Sequence, residues 1–234
     1  MKGVLLCGGT GSRLYPLTKC INKHLLPIKG KPMAQWNIEK MSEAGIKDIL
    51  IVSGQDQCGS IIQQFGDGED FGVNFTYRVQ SKPGGIAQAL SLAEHFCSNR
   101  YENICVVLGD NIFSTPLNGE NFGEGAKCVL KKVDDPRRYG VPELKEGKII
   151  SITEKPKRPK SKYAVTGIYY FDYSVFEKIR NLKPSKRGEY EITDVLNQYI
   201  KENRLTYEEM SDTDFWSDAG TLESYAYVNS SEVE

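Results

Sequence analysis

The chain has 234 residues, and 30 lysines and arginines against 31 aspartates and glutamates give a net charge of −1. That balance excludes the basic face of a duplex-binding protein, while leaving room for a local phosphate pocket. No apolar run approaches the roughly 18–20 residues that span a bilayer, and the opening MKGVLLCGG has too short an apolar stretch for a secretory leader.

In chain order, Gly3–Cys7 reads as a buried strand that runs into a glycine loop. Pro32–Gly45 has helical spacing, with proline at its start and glycine at its end. A strand over Asp48–Gly54, a short helix over Cys58–Gly66 and an alternating strand over Val73–Gln80 follow. Gly84–Phe96 reads as a strong helix and Asn103–Asn111 as a fourth strand. Strands apolar on both faces, alternating with helices, describe a parallel sheet covered on both sides. Ligands of such sheets sit at the carboxyl ends of the strands, where the glycine loop, Gln80 and Gly109-Asp110-Asn111 all fall. Beyond Thr115 the texture changes to hairpins: CVLKKVDD, IISITEKP and YAVTGIYYFD are strands separated by turns such as KEGK. No linker separates the halves, so one domain over residues 1–234 is expected. The six cysteines are scattered without a CxxC pair and there are only two histidines, which reads as reduced thiols in a cytoplasmic protein without a zinc centre.

The loop Gly8-Gly9-Thr10-Gly11-Ser12-Arg13 is open to two readings, an ordinary turn or a phosphate cradle. It lacks the third glycine of a dinucleotide fingerprint and the Gly-Lys-Ser/Thr of a Walker loop. Arg13 and Lys23 at its exit suit a triphosphate, whose charge needs both backbone donors and cations. GGTGSRLYPLT…NKHLLP, GGIAQAL, LGDNIF, RYGV, EKPKRPKSKYAVTGIYYFD and WSDAGT then occur in the order seen in sugar-1-phosphate nucleotidylyltransferases. Over residues 1–228 the chain resembles the short thymidylyl-transferring members of that family, including those associated with spore-coat polysaccharide.

The resemblance implies an α/β fold: a mostly parallel, Rossmann-like nucleotide-diphospho-sugar transferase sheet with a smaller β-rich sugar-binding lobe. It implies a nucleotide-binding lobe over 1–115 and a sugar-phosphate-binding lobe over 116–234. The implied substrates are dTTP and glucose 1-phosphate, and the products dTDP-glucose and pyrophosphate, with UTP or another triphosphate as the alternative donor. Arg13 and Lys23 are implied to meet the reacting phosphates, and Leu6, Gly8, Gly9, Gly11 and Ser12 to line the nucleotide. Gln80 and Gly85 match the positions that read the pyrimidine edge. Asp110 lies just past a buried strand, where a carboxylate is costly unless paired. With Asp218 it is implied to form a Mg²⁺ site completed by substrate phosphates. Lys155 is implied to bind the sugar phosphate and Glu154 the sugar hydroxyls, with Asn111, Gly140 and Val165 nearby. A turn at Pro156 would bring Glu154 and Lys155 to one side.

Several positions depart from longer relatives. Ser217 and Ala219 stand where those carry leucine and threonine, and His24 where glutamine is common. Long members add a helical tail after the point where this sequence stops, so the resemblance does not imply their tetramer or feedback site, and a homo-oligomer stays open. Two rivals remain. A metal-dependent glycosyltransferase would carry DxD after the fourth strand, where this chain has Gly109-Asp110-Asn111 and places DTD only at Asp212–Asp214. A non-catalytic nucleotide-sugar sensor would have lost Arg13, Asp110, Lys155 or Asp218. Neither nucleic acid nor a membrane is an expected partner.

Overall fold

A computed structural model describes residues 1–232. The strands are β1 (Lys2–Cys7), β2 (Pro27–Ile28), β3 (Lys31–Pro32), β4 (Asp48–Gly54), β5 (Asn74–Gln80), β6 (Ile104–Leu108) and β7 (Asn111–Phe113). They continue with β8 (Ala126–Lys132), β9 (Gly140–Lys145), β10 (Lys148–Glu154), β11 (Tyr163–Phe171), β12 (Leu205–Glu209) and β13 (Trp216–Asp218). The helices are α1 (Met33–Glu43), α2 (Cys58–Phe65), α3 (Ile86–Ser91), α4 (Val175–Arg180), α5 (Ile192–Lys201) and α6 (Leu222–Ser230). None of the described helices is long and apolar enough to cross a membrane.

Two compact units form. The first gathers Met1–Pro83, Val107–Glu120 and the segment from Asp214 onward; the second gathers Gly84–Val106 and Asn121–Thr213. The units are therefore interleaved in sequence and are not split at residue 115, because β13 returns to pair with β7.

In the first unit β1, β4 and β5 are parallel, with Cys7 level with Ser53 and Gly54 level with Gln80. That register aligns the carboxyl ends that carry the glycine loop and Gln80. Val4, Leu5, Cys7 and Ile49–Val52 are fully buried, which is why they read as unbroken apolar runs. Helix α1 starts after Pro32 and buries Met33, Ala34, Asn37, Ile38 and Met41, one face at helical spacing. Leu14, Leu26, Ile28, Met33, Trp36, Ile112, Ala219 and Val228 make a core cluster that anchors both the glycine loop and the WSDAGT segment.

The expected strand over Asn103–Asn111 ends early, at Leu108. A side chain at Gly109 would come within 2.8 Å of both Cys7 Sγ and the His24 ring. Gly109 N–H donates to the Leu6 carbonyl (2.9 Å), the chain turns, and β7 starts afresh at Asn111.

In the second unit β9 and β10 form a hairpin whose two turn residues, Glu146 (φ 51°) and Gly147 (φ 72°), both take positive φ, as a tight primed turn demands. β11 pairs antiparallel with β8 and with β9, and β12 runs parallel to β8. Buried Asp172 ties this unit together, accepting from Gly125 N–H (2.7 Å), Tyr199 OH (2.8 Å) and Arg204 Nη2 (2.5 Å). Asn197 on α5 accepts from Ile152 N–H (3.0 Å) and donates to Ile152 C=O (2.8 Å), occupying the free edge of β10. The helix expected over Gly84–Phe96 is regular only across Ile86–Ser91. The α/β class stands: β1, β4 and β5 of the first unit are parallel, beside the short antiparallel β2–β3 and β7–β13 ladders, and the second unit is mostly antiparallel.

Candidate active site

In the first unit the glycine loop is shaped by backbone that side chains would obstruct. Gly9 (φ 95°) and Gly11 (φ 65°) lie in the left-handed region, which glycine enters without strain. Buried Thr18 donates its hydroxyl to Gly11 C=O (2.6 Å), and Leu14 N–H donates to the same carbonyl (2.9 Å), so the turn over Ser12–Leu14 is fixed while Ser12 and Arg13 stay exposed. A Cβ on Gly8 would fall 2.4 Å from Gln80 Oε1, so the buried Gln80 carboxamide reaches over the Gly8 Cα. Leu6 is buried in β1 and contributes its carbonyl to Gly109.

A second cluster of the same unit is set by the β7–β13 ladder. Its register puts Asp218 opposite Asn111, next to Asp110, and Ala219 N–H donates to Asp110 C=O (2.8 Å). Gly220 marks the point of convergence. A Cβ there would lie 2.6 Å from Asp218 Oδ1, 3.2 Å from Arg13 Nη2 and 3.4 Å from Asp110 Oδ2. Only a residue without a side chain leaves that space open. Lys23 Nζ donates to Asp110 Oδ2 (2.5 Å), and Asn111 Nδ2 donates to Asp110 Oδ1 (3.1 Å).

Burial works to raise the Asp110 pKa, yet the Lys23 ammonium and the hydrogen bonds from Lys23 and Asn111 hold it well below the usual carboxylate range. Asp218 shifts the other way, raised first by burial and then by the Asp110 charge, against Lys23, Arg13 and the Gly220 N–H. Burial, reinforced by Lys23, brings His24 down to about 3, so the ring is neutral at physiological pH and packs behind Gly109. Two converging carboxylates beside an open glycine fit a magnesium ion, which takes one or two protein oxygens and fills the rest with phosphate and water. Among the described residues no larger group of three His, Cys, Asp or Glu ligands forms.

The second unit carries its own charged cluster. Glu154 ends β10 opposite Gly140, and Gly140 pairs with Val165 on β11, which brings three of the expected sugar-side residues together. Lys155 follows with φ 43°, an uncommon left-handed conformation for a residue with a side chain. Its N–H donates to Tyr139 C=O (2.9 Å). The turn that gathers Glu154 and Lys155 is thus made by Lys155 itself and not by Pro156. Lys155 Nζ lies 3.8 Å from Glu154 Oε1. Burial raises the Glu154 pKa, opposed by Lys155.

Sequence reasoning missed several residues of these clusters. Arg187 sits 3.7 Å from Glu154 Oε1 and 3.3 Å from Glu191 Oε1, and also pairs with Glu189. The charged run KRGEYE was its only signal. Gly85 (φ 97°) abuts that same segment, where an added Cβ would meet Tyr190 O at 2.6 Å. Asn111, expected with the sugar residues, belongs to the first unit and spends its amide on Asp110 and on Trp216, whose Nε1 donates to Asn111 Oδ1 (2.8 Å). Trp216, His24 and Gly220 went unassigned although two lie in the quoted WSDAGT motif.

The nucleotidyl transferase family model matches residues 2–234. A glucose-1-phosphate thymidylyltransferase of Neisseria meningitidis is 41% identical over 235 residues, which cover 96% of this chain and 80% of that protein. One from Mycolicibacterium smegmatis is 40% identical over 230 residues, covering 96% and 79%. A Bacillus anthracis crystal structure, described as a candidate glucose-1-phosphate thymidylyltransferase in complex with a sucrose, superposes with TM-score 0.92 and 52% identity over 98% of this chain and 94% of that one. A UDP-glucose pyrophosphorylase complexed with UDP-glucose superposes at TM-score 0.83 with 25% identity, covering 97% and 96%.

Proposed function

The chain belongs to the nucleotidyl transferase family, and from that premise we propose that it transfers a thymidylyl group from dTTP to glucose 1-phosphate, releasing dTDP-glucose and pyrophosphate in the cytoplasm. The observation that carries this reading is the convergence of Arg13, Asp110 and Asp218 on the open space at Gly220, with Lys23 bound to Asp110. A cation, two carboxylates and a bare glycine loop suit a triphosphate that must lose pyrophosphate.

An oxygen of the sugar phosphate attacks the α-phosphorus in line, a new P–O bond forms, and the bond to pyrophosphate breaks. No protein nucleophile is required. Cys7, the thiol nearest the loop, is buried, and burial pushes its pKa far above the ordinary thiol value, so it stays protonated. Arg13 neutralises charge on the reacting phosphates, and Lys23 serves both Asp110 and the departing pyrophosphate. Bound magnesium, held by Asp110 and Asp218, would supply further charge neutralisation at the phosphates. Lys155 and Arg187 hold the sugar phosphate while Glu154 accepts hydrogen bonds from sugar hydroxyls. Gln80 presents a donor and an acceptor to the pyrimidine edge.

UTP stands as the second donor, favoured by the likeness to a UDP-glucose pyrophosphorylase. The thymine methyl is worth only ~1–3 kcal/mol in a pocket, a preference of roughly 10–200-fold. A pyrophosphate-release assay with glucose 1-phosphate and each of four nucleoside triphosphates is the test. The expected order is dTTP, then UTP, then the purines. A preference for ATP or GTP would remove the base assignment, and no release with any donor would remove the activity.

A further inference from the structure

The indole of Trp216 is oriented toward the acidic centre yet has no part in the chemistry described so far. We propose that Trp216 and Asn111 are positioning residues that lock the carboxylate plane of Asp110, so that its Oδ2 faces the cation seat at Gly220. The inference rests on the metal assignment of the proposed function. An asparagine amide can present either end to a neighbour, and the choice is set by its hydrogen-bond partners. An indole N–H only donates, so the 2.8 Å contact from Trp216 Nε1 assigns the facing atom of Asn111 as its oxygen. The amide NH₂ is thereby directed at Asp110 Oδ1, 3.1 Å away.

The two oxygens of Asp110 then have separate duties. Oδ1 is held by a neutral donor, whereas Oδ2 takes Lys23 and lies 3.4 Å from the open point at Gly220. Pinned at Oδ1, the carboxylate can exchange Lys23 for a cation at Oδ2 without rotating. The ladder explains how one short strand does this. Asp218 stands opposite Asn111, and Trp216, two residues earlier on β13, shares its face. β13 therefore supplies one carboxylate and also aligns the other. Without the indole N–H the Asn111 amide can flip, setting its oxygen against Asp110, acceptor to acceptor.

Trp216→Phe keeps the ring and removes only the donor. With dTTP present, Mn²⁺ binding followed by electron paramagnetic resonance should weaken about 10–100-fold in this variant, the usual cost of losing an outer hydrogen bond to a metal ligand. Asn111→Ala should weaken binding comparably, and the double variant should be no worse than Asn111→Ala alone, because both changes break the same chain. Additive losses, wild-type Mn²⁺ affinity in either single variant, or a wild-type protein that binds no Mn²⁺ would each overturn the proposal. Since binding is read without turnover, a protein that showed the Trp216 dependence but released no pyrophosphate would refute the proposed activity alone.

Discussion

Around Gly220, a guanidinium and two carboxylates are gathered by backbone: a three-residue ladder sets the aspartates, and a missing side chain keeps the space between them open. Around Glu154 the backbone supplies a strand end and a turn, and the charges are then balanced side chain to side chain, Lys155 and Arg187 against Glu154, Glu189 and Glu191. In the first cluster burial raises both carboxylates, but Lys23 and Asn111 pull Asp110 down while Asp218 stays raised. In the second the cations stay open to solvent, Lys155 at 46% side-chain exposure and Arg187 at 38%. The enclosed Lys23–Asp110 contact, at 12% and 13% side-chain exposure, sits in the lower dielectric, where a charge contact is stronger.

The largest expected effect falls in the first cluster. Arg13→Ala should lower turnover about 10²–10³-fold, the usual loss for one preorganised donor, with little change in the Michaelis constant for dTTP. A rise in that constant with turnover intact would make Arg13 a binding residue and erase the contrast.

Two glycines sharpen the comparison next. At Gly85 an added Cβ meets backbone, Tyr190 O at 2.6 Å, and φ is 97°. Overpacking and left-handed strain should together cost Gly85→Ala about 2–4 kcal/mol, lowering Tm by roughly 5–15 °C. At Gly8 the added Cβ meets only the far end of Gln80. Gly8→Ala should keep its Tm but displace the carboxamide and narrow the ratio of kcat/KM for dTTP over CTP. Equal melting shifts in the two variants would contradict this division between packing and recognition.

The smallest effect probes the strain at Lys155. Both Lys155→Ala and Lys155→Gly should weaken glucose 1-phosphate binding by ~1.5–3 kcal/mol, about 10–150-fold, the worth of a charged hydrogen bond, and spare dTTP. Their stabilities should differ, because the backbone is left-handed at φ 43°. Lys155→Gly should be the more stable by up to about 1 kcal/mol, reversing the ordinary advantage of alanine, as measured by urea denaturation. An alanine variant as stable as the glycine one would show that this turn carries no strain.

Much of the first cluster was legible in the sequence because its residues sit in contiguous motifs at strand ends: Gly8 to Arg13 after β1, Gln80 ending β5, Asp110 after β6. Strands buried on both faces leave an unbroken apolar signature, so their ends are easy to locate. The β7–β13 pairing was not legible, since each strand has three residues and about a hundred residues separate them. Such a ladder is specified by surrounding packing and not by periodicity. Arg187 was missed for a related reason: a lone arginine in a charged turn resembles any solvated surface until its neighbours are placed. α5 was also overlooked, although its buried Ile192, Val195, Leu196 and Tyr199 follow helical spacing.

The interleaving of the two units has a consequence in time. Asp110 and Asp218 belong to one unit, but the whole stretch Asn121–Thr213 is synthesised between them. At about 5–20 residues per second, a ribosome spends roughly 5–20 s on that stretch while the acidic pair is incomplete. A nascent chain therefore carries Arg13, Lys23 and the glycine loop long before it can hold both carboxylates. No chain interrupted before Asp214 can assemble the pair at all. The acidic pair of the first unit is thus completed only after the whole of the second unit has been made.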